Sequence, residues 1–320
     1  MASPGSGKYE DWMSQLPEQL WDMALYTLAI PGSHDALSYC LDMESPLIRS
    51  ESAVLKSMDK VFPCITRPVI YKWATTQEKN IVEQLTEGIR YFDLRIAHKP
   101  QDSSDDLYYT HVVYTIRTVR EVLKEVALWL TSHPKEIVIL ACSHFEGLNR
   151  DLHEKLISSL KTIFGSRLCP YRELLTLRSL WESGYQVIVS YEDVEAEQHP
   201  ELWPAIPYWW ANKLDAKAVV QFLQQRKHSG RPGGFFVAGL NLTADTQYIV
   251  RHPSQSIRTL TLHNYGYLAA WLQKQSPGPD PGCLNIIAGD FIGSVQFCSI
   301  VISLNKKLIQ AEPEPTNNMH

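Results

Sequence analysis

Seven stretches of this sequence place polar side chains, most of them acid–base or charged groups, at the end of an apolar run. His34 and Asp35 follow Leu28-Ala-Ile30, and Asp93 and Arg95 close the run over 89–96. His111 ends Tyr109-Thr-His111, and Ser143-His144 follow IVILAC at 137–142. Ser190-Tyr191-Glu192, Asn241 and Gly289-Asp290 stand in the same relation to the runs near 187, 236 and 285. Two imidazoles, a guanidinium and several carboxylates are what phosphodiester cleavage needs. One histidine can take the proton of the attacking hydroxyl and the other can protonate the leaving alcohol, because an unperturbed imidazole titrates at about 6.5. An arginine offers a planar, permanently charged fork to the phosphate oxygens. Taken singly, each residue has a plainer reading. His34 caps a loop, Arg95 is a buried ion-pair partner, Asp290 is a helix cap and His144 is a loop donor. Such plain roles would scatter over both ends of a fold, whereas these residues fall at strand ends.

The elements that must position them alternate between strand-like and helix-like patterns. Leu28-Ala-Ile30 reads as a buried strand that Pro31 and Gly32 end. Thr75 or Thr76 opens a helix that Gly88 closes, and the strand over 89–96 follows. Thr118-x-x-Glu121 is a capping box for a helix with Val119, Val122, Leu123, Val126 and Leu130 on one face, ended by Pro134. Asn149 introduces another helix. Continuous apolar strands between amphipathic helices indicate a parallel sheet covered by helices. The expected fold is α/β, a single distorted TIM (β/α)8-type barrel, with an open doubly wound sheet as the alternative. Seven strands are clear, near 28, 90, 108, 138, 187, 236 and 285; residues 204–210 are the candidate eighth. A barrel gathers function at the carboxyl ends of its strands, where the residues above lie.

Length and composition bound the rest. A chain of 320 residues, 44% hydrophobic and 20% charged, suits one large barrel with a sizeable core. Residues 1–8 and 312–320 are expected to be flexible tails around a barrel over 9–311. A net charge of −5 without a basic cluster speaks against nucleic acid. Six scattered cysteines with no CxxC, and no apolar run of spanning length, point to free thiols in a cytoplasmic protein. There is no G-x-S-x-G, no P-loop lysine and no G-x-G-x-x-G in a strand–turn–helix setting. In Asp93-Leu-Arg95 a cation stands where a second carboxylate would help to hold Ca²⁺ or Mg²⁺, so no metal and no cofactor is expected.

IPGSHDALSY, EQLTEGIRYFDLRIA, YTHVVYT and NIIAGDFIG, in this order, resemble the X domain of phosphatidylinositol-specific phospholipase C. The similarity runs over about residues 11–310. It implies a distorted TIM barrel that cleaves phosphatidylinositol to diacylglycerol and an inositol phosphate through a cyclic phosphodiester. By that resemblance His34 is the base for the inositol 2-hydroxyl, with Asp290 orienting it. His111 is the acid for the diacylglycerol oxygen, with Asp35 as its partner. Arg95 stands where bacterial members carry arginine and the calcium-dependent ones an acidic ligand, which implies a metal-independent site. Ser143 stands where other members place a charged residue, and no lysine pair accompanies Ser190-Tyr191. Both departures favour an unphosphorylated inositol ring. Ser143, Tyr191, Trp210 and Asn241 are assigned to substrate contact.

Residues 207–213 concentrate amphipathic aromatics, which either touch a membrane surface transiently or pack the barrel rim. Two other functions stay open: a non-catalytic module binding inositol lipids or inositol phosphates, and a metal-dependent glycerophosphodiesterase on the same barrel. The second would need a Glu-x-Asp ligand pair where this chain has Asp93-Leu-Arg95.

Overall fold

In a computed structural model describing residues 9–310 except 173, the alternation becomes a curled sheet wrapped by helices. The expected flexible tails, 1–8 and 312–320, lie outside the described residues. The strands are β1 (Ile30–Ser33), β2 (Tyr91–His98), β3 (Leu107–His111), β4 (Val113–Thr118), β5 (Val138–Glu146), β6 (Val187–Tyr191), β7 (Leu202–Trp203), β8 (Tyr208–Trp209), β9 (Val237–Gly239) and β10 (Ile286–Gly289). The α-helices are α1 (Ala53–Val61), α2 (Pro63–Ala74), α3 (Ile81–Thr86), α4 (Val119–Ser132), α5 (Arg150–Phe164), α6 (Leu177–Ser183), α7 (Ala216–His228), α8 (Thr246–Arg251), α9 (Ile257–Leu272), α10 (Phe297–Leu304) and α11 (Lys307–Gln310). None of the described helices is long and apolar enough to cross a membrane.

Eight strands follow the order β7-β6-β5-β2-β1-β10-β9-β8, each neighbouring pair parallel. The edges β7 and β8 do not pair. Four residues, Pro204-Ala-Ile-Pro207, carry the chain straight from one edge to the other, and the two prolines have no N–H to offer a ladder. Ser190 stitches this seam, its hydroxyl donating to the Pro204 carbonyl at 3.0 Å and accepting from Ile206 N at 3.2 Å. The result is the distorted (β/α)8-type barrel expected from the sequence, left open at one seam.

Three details differ from the sequence reading. The strand near 108 is not a stave of the barrel: β3 pairs antiparallel with β2 and with β4, as a hairpin leaning on the rim. Residues 202–203 and 208–209 supply the two missing staves. Pro31 and Gly32 do not end β1 but form its centre, opposite Ile287 and Ala288 of β10. Gly32 is required by packing, since a Cβ there would come within 2.9 Å of the Tyr91 ring. The helix expected from Thr75 or Thr76 begins only at Ile81, capped by Asn80 and Glu83. Thr76 is drawn off instead by Ser38, whose hydroxyl lies 2.8 Å from its own. The Thr118–Glu121 capping box and the Asn149 cap form as read.

Alternation along the strands sorts the side chains into two layers. Phe92, Leu94, Leu140, Cys142, Val189 and Tyr191 pack outward against the helices. Ile30, Tyr91, Ile139, Ile188, Trp203, Val237 and Ile286 pack inward, where they meet Trp12, Met13, Leu16, Leu20, Leu25 and Leu28. The N-terminal segment thus plugs the amino ends of the strands. A fully buried ion pair, Arg90 to Glu136 at 2.7 Å, locks the plug, with Glu136 accepting from Met13 N and Ser14 N.

Candidate active site

The inward parity that fills the plugged end with apolar side chains delivers His34, Asp93, Arg95 and Asp290 at the carboxyl end. Past Ser33 the chain turns sharply, and Asp35 takes a left-handed conformation (φ 42°), which aspartate tolerates better than most residues. Gln77, 1% exposed, holds this turn by donating from Nε2 to the carbonyls of His34 and Gly289, each at 2.9 Å. The ends of β1 and β10 are thereby clamped together. The clamp sets His34 Nδ1 at 2.8 Å from Asp290 Oδ1, so the Nδ1 proton is donated to the carboxylate and Nε2 faces the hollow.

On β2, Asp93 and Arg95 face the same hollow. Arg95 Nε is 2.7 Å from Asp35 Oδ1, and Nη2 is 3.3 Å from Asp93 Oδ2 and 3.2 Å from His34 Nε2. Pairing stays in register to Arg95–Ser143 and then slips before Ala97, a bulge that marks where the staves end and the rim begins. The β3 hairpin brings His111 back to this level, with Val112 (φ 70°) as its tip. His111 Nδ1 donates to the Ala74 carbonyl at the end of α2, at 2.6 Å, which leaves Nε2 facing Asp35 Oδ2 at 3.3 Å. His34 Nε2 approaches that same oxygen at 3.2 Å. Asp35 is therefore shared by both imidazoles, not reserved for His111, and the two rings lie 6.4 Å apart.

The electrostatics follow from burial and these contacts. Burial pulls the His34 imidazole down, but the charges of Asp35 and Asp290 outweigh it and hold its pKa at about 9. Burial pushes Asp35 up, and Arg95, His111 and His34 overcome that to keep its carboxyl well below the usual range. Burial raises Asp290 against the opposing pull of His34. Burial alone would lower Arg95, yet Asp35 and Asp93 raise it, so the guanidinium stays charged. Both Asp35 oxygens, Asp290 Oδ2 and Arg95 Nε are buried without an aligned hydrogen bond. The cluster holds hydrogen-bonding capacity that the protein itself does not use. His34, Asp35 and Asp93 also offer ligand atoms within 4.8 Å of one another, a spacing able to hold a metal ion. Arg95 already bridges the same three groups.

The remaining candidates divide. Ser143 sits beside Arg95 in register, its hydroxyl 2.9 Å from His144 Nδ1. Asn241 is 1% exposed and accepts from Tyr208 Oη at 3.0 Å, while its Nδ2 has no partner. Trp210 is half-exposed and ties its indole N–H to Thr243 at 2.9 Å. Tyr191 is a correction. Its ring belongs to the outward layer, against Phe145, with its hydroxyl 2.8 Å from His153 Nδ1. A one-residue shift decides this, because Ser190 and Glu192 take the inward parity. Sequence reasoning missed Tyr208, whose ring lies 6.2 Å from His34, and the Gln77 clamp. Parity counted back from Asn241 and across to β8 would have found Tyr208; Gln77 acts on backbone carbonyls distant in sequence and leaves no local signal.

One small cavity lies at the cluster and a larger groove lies away from it. The cavity, of about 10 Å³ and lined by Asp35, Asp93, Arg95 and His111, has room for one water. The groove, of about 650 Å³, lies between α4 and α5 and contains none of these residues.

Comparison with known proteins shows the family and the fold. The family model for the phosphatidylinositol-specific phospholipase C X domain matches residues 70–193. The chain is 52% identical over 301 residues to the human PI-PLC X domain-containing protein 1, covering 94% of this chain and 93% of that protein. The zebrafish protein of the same name is 49% identical, covering 93% and 97%. Among solved structures, the phosphatidylinositol-specific phospholipase C of Listeria monocytogenes superposes with a TM-score of 0.64 at 19% identity, over 92% of this chain and 98% of that one. That likeness is one of fold.

Proposed function

The chain belongs to the PI-PLC X domain-containing protein family, and from that premise we propose that it is a phosphoric diester hydrolase of the phospholipase C type. The observation that carries the reading is the sharing of Asp35 by His34, His111 and Arg95, all within 3.3 Å of it. His34 Nε2, relieved of its proton, takes the proton of the inositol 2-hydroxyl, and the 2-oxygen attacks phosphorus. Asp290 stabilises the imidazolium so formed. His111 gives its Nε2 proton to the diacylglycerol oxygen as the P–O bond breaks, leaving a five-membered cyclic phosphodiester. Water then attacks that ring with the two histidines exchanging roles. Arg95 swings its charge from Asp35 and Asp93 onto the non-bridging phosphate oxygens, the work a divalent ion would otherwise do.

The substrate is phosphatidylinositol with an unphosphorylated ring. Ser143 on β5, Tyr208 on β8, and Glu192 and Asn241 just past β6 and β9 share the inward parity at this end of the barrel, and none of them is a cation for further phosphates. The lipid is met at a membrane surface, with no metal and no cofactor in the reaction. Six free thiols suit a reducing, cytoplasmic setting.

The test is product analysis on a panel of phosphoinositides with and without excess chelator. Diacylglycerol and inositol phosphate release from phosphatidylinositol, undiminished by chelator, is the expected result. Binding of lipid without product would favour the non-catalytic module, and calcium-restored activity would remove Arg95 from the role given to it.

A further inference from the structure

One element standing beside the site leaves its apolar side chains exposed. α1 buries none of its residues; Leu55 packs half-buried against the small cluster that includes Leu41, Leu47 and Ile70, but Val54, Met58 and Val61 recur at helical spacing along an open side. Val54 is 67% exposed and Val61 61%. The apolar surface continues through the junction into α2, where Phe62 is 56% exposed and Ile65 63%. An apolar ridge of this length left in water marks a surface that meets a partner.

The hairpin is firmly seated on its other side. Thr66, Ile70, Trp73 and Ala74 of α2 are buried, and Trp73 packs edge-on against Tyr248 of α8 at 5.9 Å. Arg67 binds Asp59 and the Met43 carbonyl, which ties α1 and α2 to the preceding loop. The last residue of α2 supplies the carbonyl that holds His111, and Thr76 and Gln77 then run on to His34. The exposed ridge is therefore anchored at the mouth of the site.

Charge points to the partner. In a chain of net charge −5, residues 53–74 carry four basic side chains, Lys56, Lys60, Arg67 and Lys72, against the single acid Asp59. Asp59 is engaged by Arg67, and Lys60 and Lys72 are exposed. Apolar side chains flanked by lysines are the composition that lies in the headgroup layer of an anionic membrane. The aromatic stretch at 207–213 is less suited. Trp209 is buried against Phe236, Tyr208 turns into the barrel, and only Trp210 offers an exposed ring.

We propose that the α1–α2 hairpin is the surface by which this protein docks on an anionic phospholipid bilayer, with Val61, Phe62 and Ile65 entering the headgroup layer and Lys60 and Lys72 facing lipid charge. This rests on reading the adjacent site as lipid-directed, and it names the element that brings the site to its lipid.

The test is co-sedimentation of the full chain with phosphatidylcholine vesicles containing phosphatidylserine and no phosphatidylinositol, so that binding is independent of the site. The wild type should partition onto these vesicles. Val61→Ser/Phe62→Ser/Ile65→Ser should lower the partition coefficient at least about tenfold. Lys60→Gln/Lys72→Gln should lower it a few-fold and flatten its salt dependence. All these side chains are exposed, so thermal unfolding and turnover of monomeric short-chain phosphatidylinositol should stay at wild-type values. The proposal is overturned if the wild type ignores the vesicles or the triple variant binds like wild type. It is equally overturned if Trp210→Ser alone abolishes binding, or if the triple substitution only splits a dimer of this chain. Failure of the enzymatic reading would look different: vesicle binding intact, with no turnover of the monomeric substrate.

Discussion

Two arginines five positions apart, Arg90 just ahead of β2 and Arg95 within it, are used in opposite ways. Arg90, with no exposed surface, spends its donors on Glu136 and on the carbonyls of Leu85, Ile89 and Glu10. Arg95, with 24% of its side chain exposed, touches only side chains, and its Nε lies 2.7 Å from Asp35 without hydrogen-bond alignment. One guanidinium is saturated by backbone and fixes the plug. The other is held by the side chains of Asp35 and Asp93, with His34 beside it, at the proposed phosphate position. Burying charge is costly at both ends, but only at the carboxyl end does the cluster keep donors and acceptors in hand for a ligand.

The contrast can be broken by exchanging the consequences of mutation. Glu136→Ala leaves Arg90 buried and unpaired and should lower folding stability by about 3–5 kcal/mol in denaturant titrations, with activity per folded molecule unchanged. Arg95→Ala should do the reverse, cutting kcat/KM by about 10²–10³ while leaving the unfolding midpoint near wild type. A stability loss on the scale of Glu136→Ala would return Arg95 to a structural role.

Asp290→Asn sharpens the comparison through pH. With His34 held at about 9, its neutral, proton-accepting form grows as pH rises, so wild-type kcat/KM should climb from neutral pH towards that value. Removing the Asp290 charge removes one of the influences that raise His34, so the rising limb should move to lower pH, while kcat falls by about 10–10². Stability carries the matching sign. A His34 pKa raised from 6.5 stabilises the fold fully below 6.5, and that contribution is lost as pH rises through about 9. Melting temperatures of Asp290→Asn should decline less over this window than those of wild type. An unmoved rate limb would separate Asp290 from His34.

The smallest effects should distinguish the two tyrosines. Tyr208→Phe removes the bond to Asn241 inside the barrel and should change KM by a few-fold. Tyr191→Phe, on the outer layer, should cost about 1 kcal/mol of stability with KM untouched.

The sequence carried the barrel and the order of its polar strand ends, because two-residue alternation and helix caps are local signals. His34, Arg95 and Asp290 could be placed at one end since each follows a buried run. Tyr191 went wrong because strand ends were read without counting parity, and one residue reverses the face. The β3 hairpin was misread as a stave although residues 99–106 are too few for a parallel crossover with its helix. Pro63 and Pro68 broke the pattern of the α1–α2 pair. Pro63 falls in the first turn, where its missing N–H is harmless, so the helix forms despite it. That Asp35 serves both imidazoles, and that Gln77 clamps two strand ends, are facts of three-dimensional convergence that no spacing encodes.

His34 and His111, served by Asp35 and Arg95, are proposed to cleave a phosphodiester without a metal. Phosphorus NMR of phosphatidylinositol incubated with the purified chain in excess chelator tests it most directly. A five-membered cyclic phosphodiester signal is expected with the wild type and none with folded His34→Ala. Equal signals from both proteins, or none from the wild type until calcium is added, would contradict it.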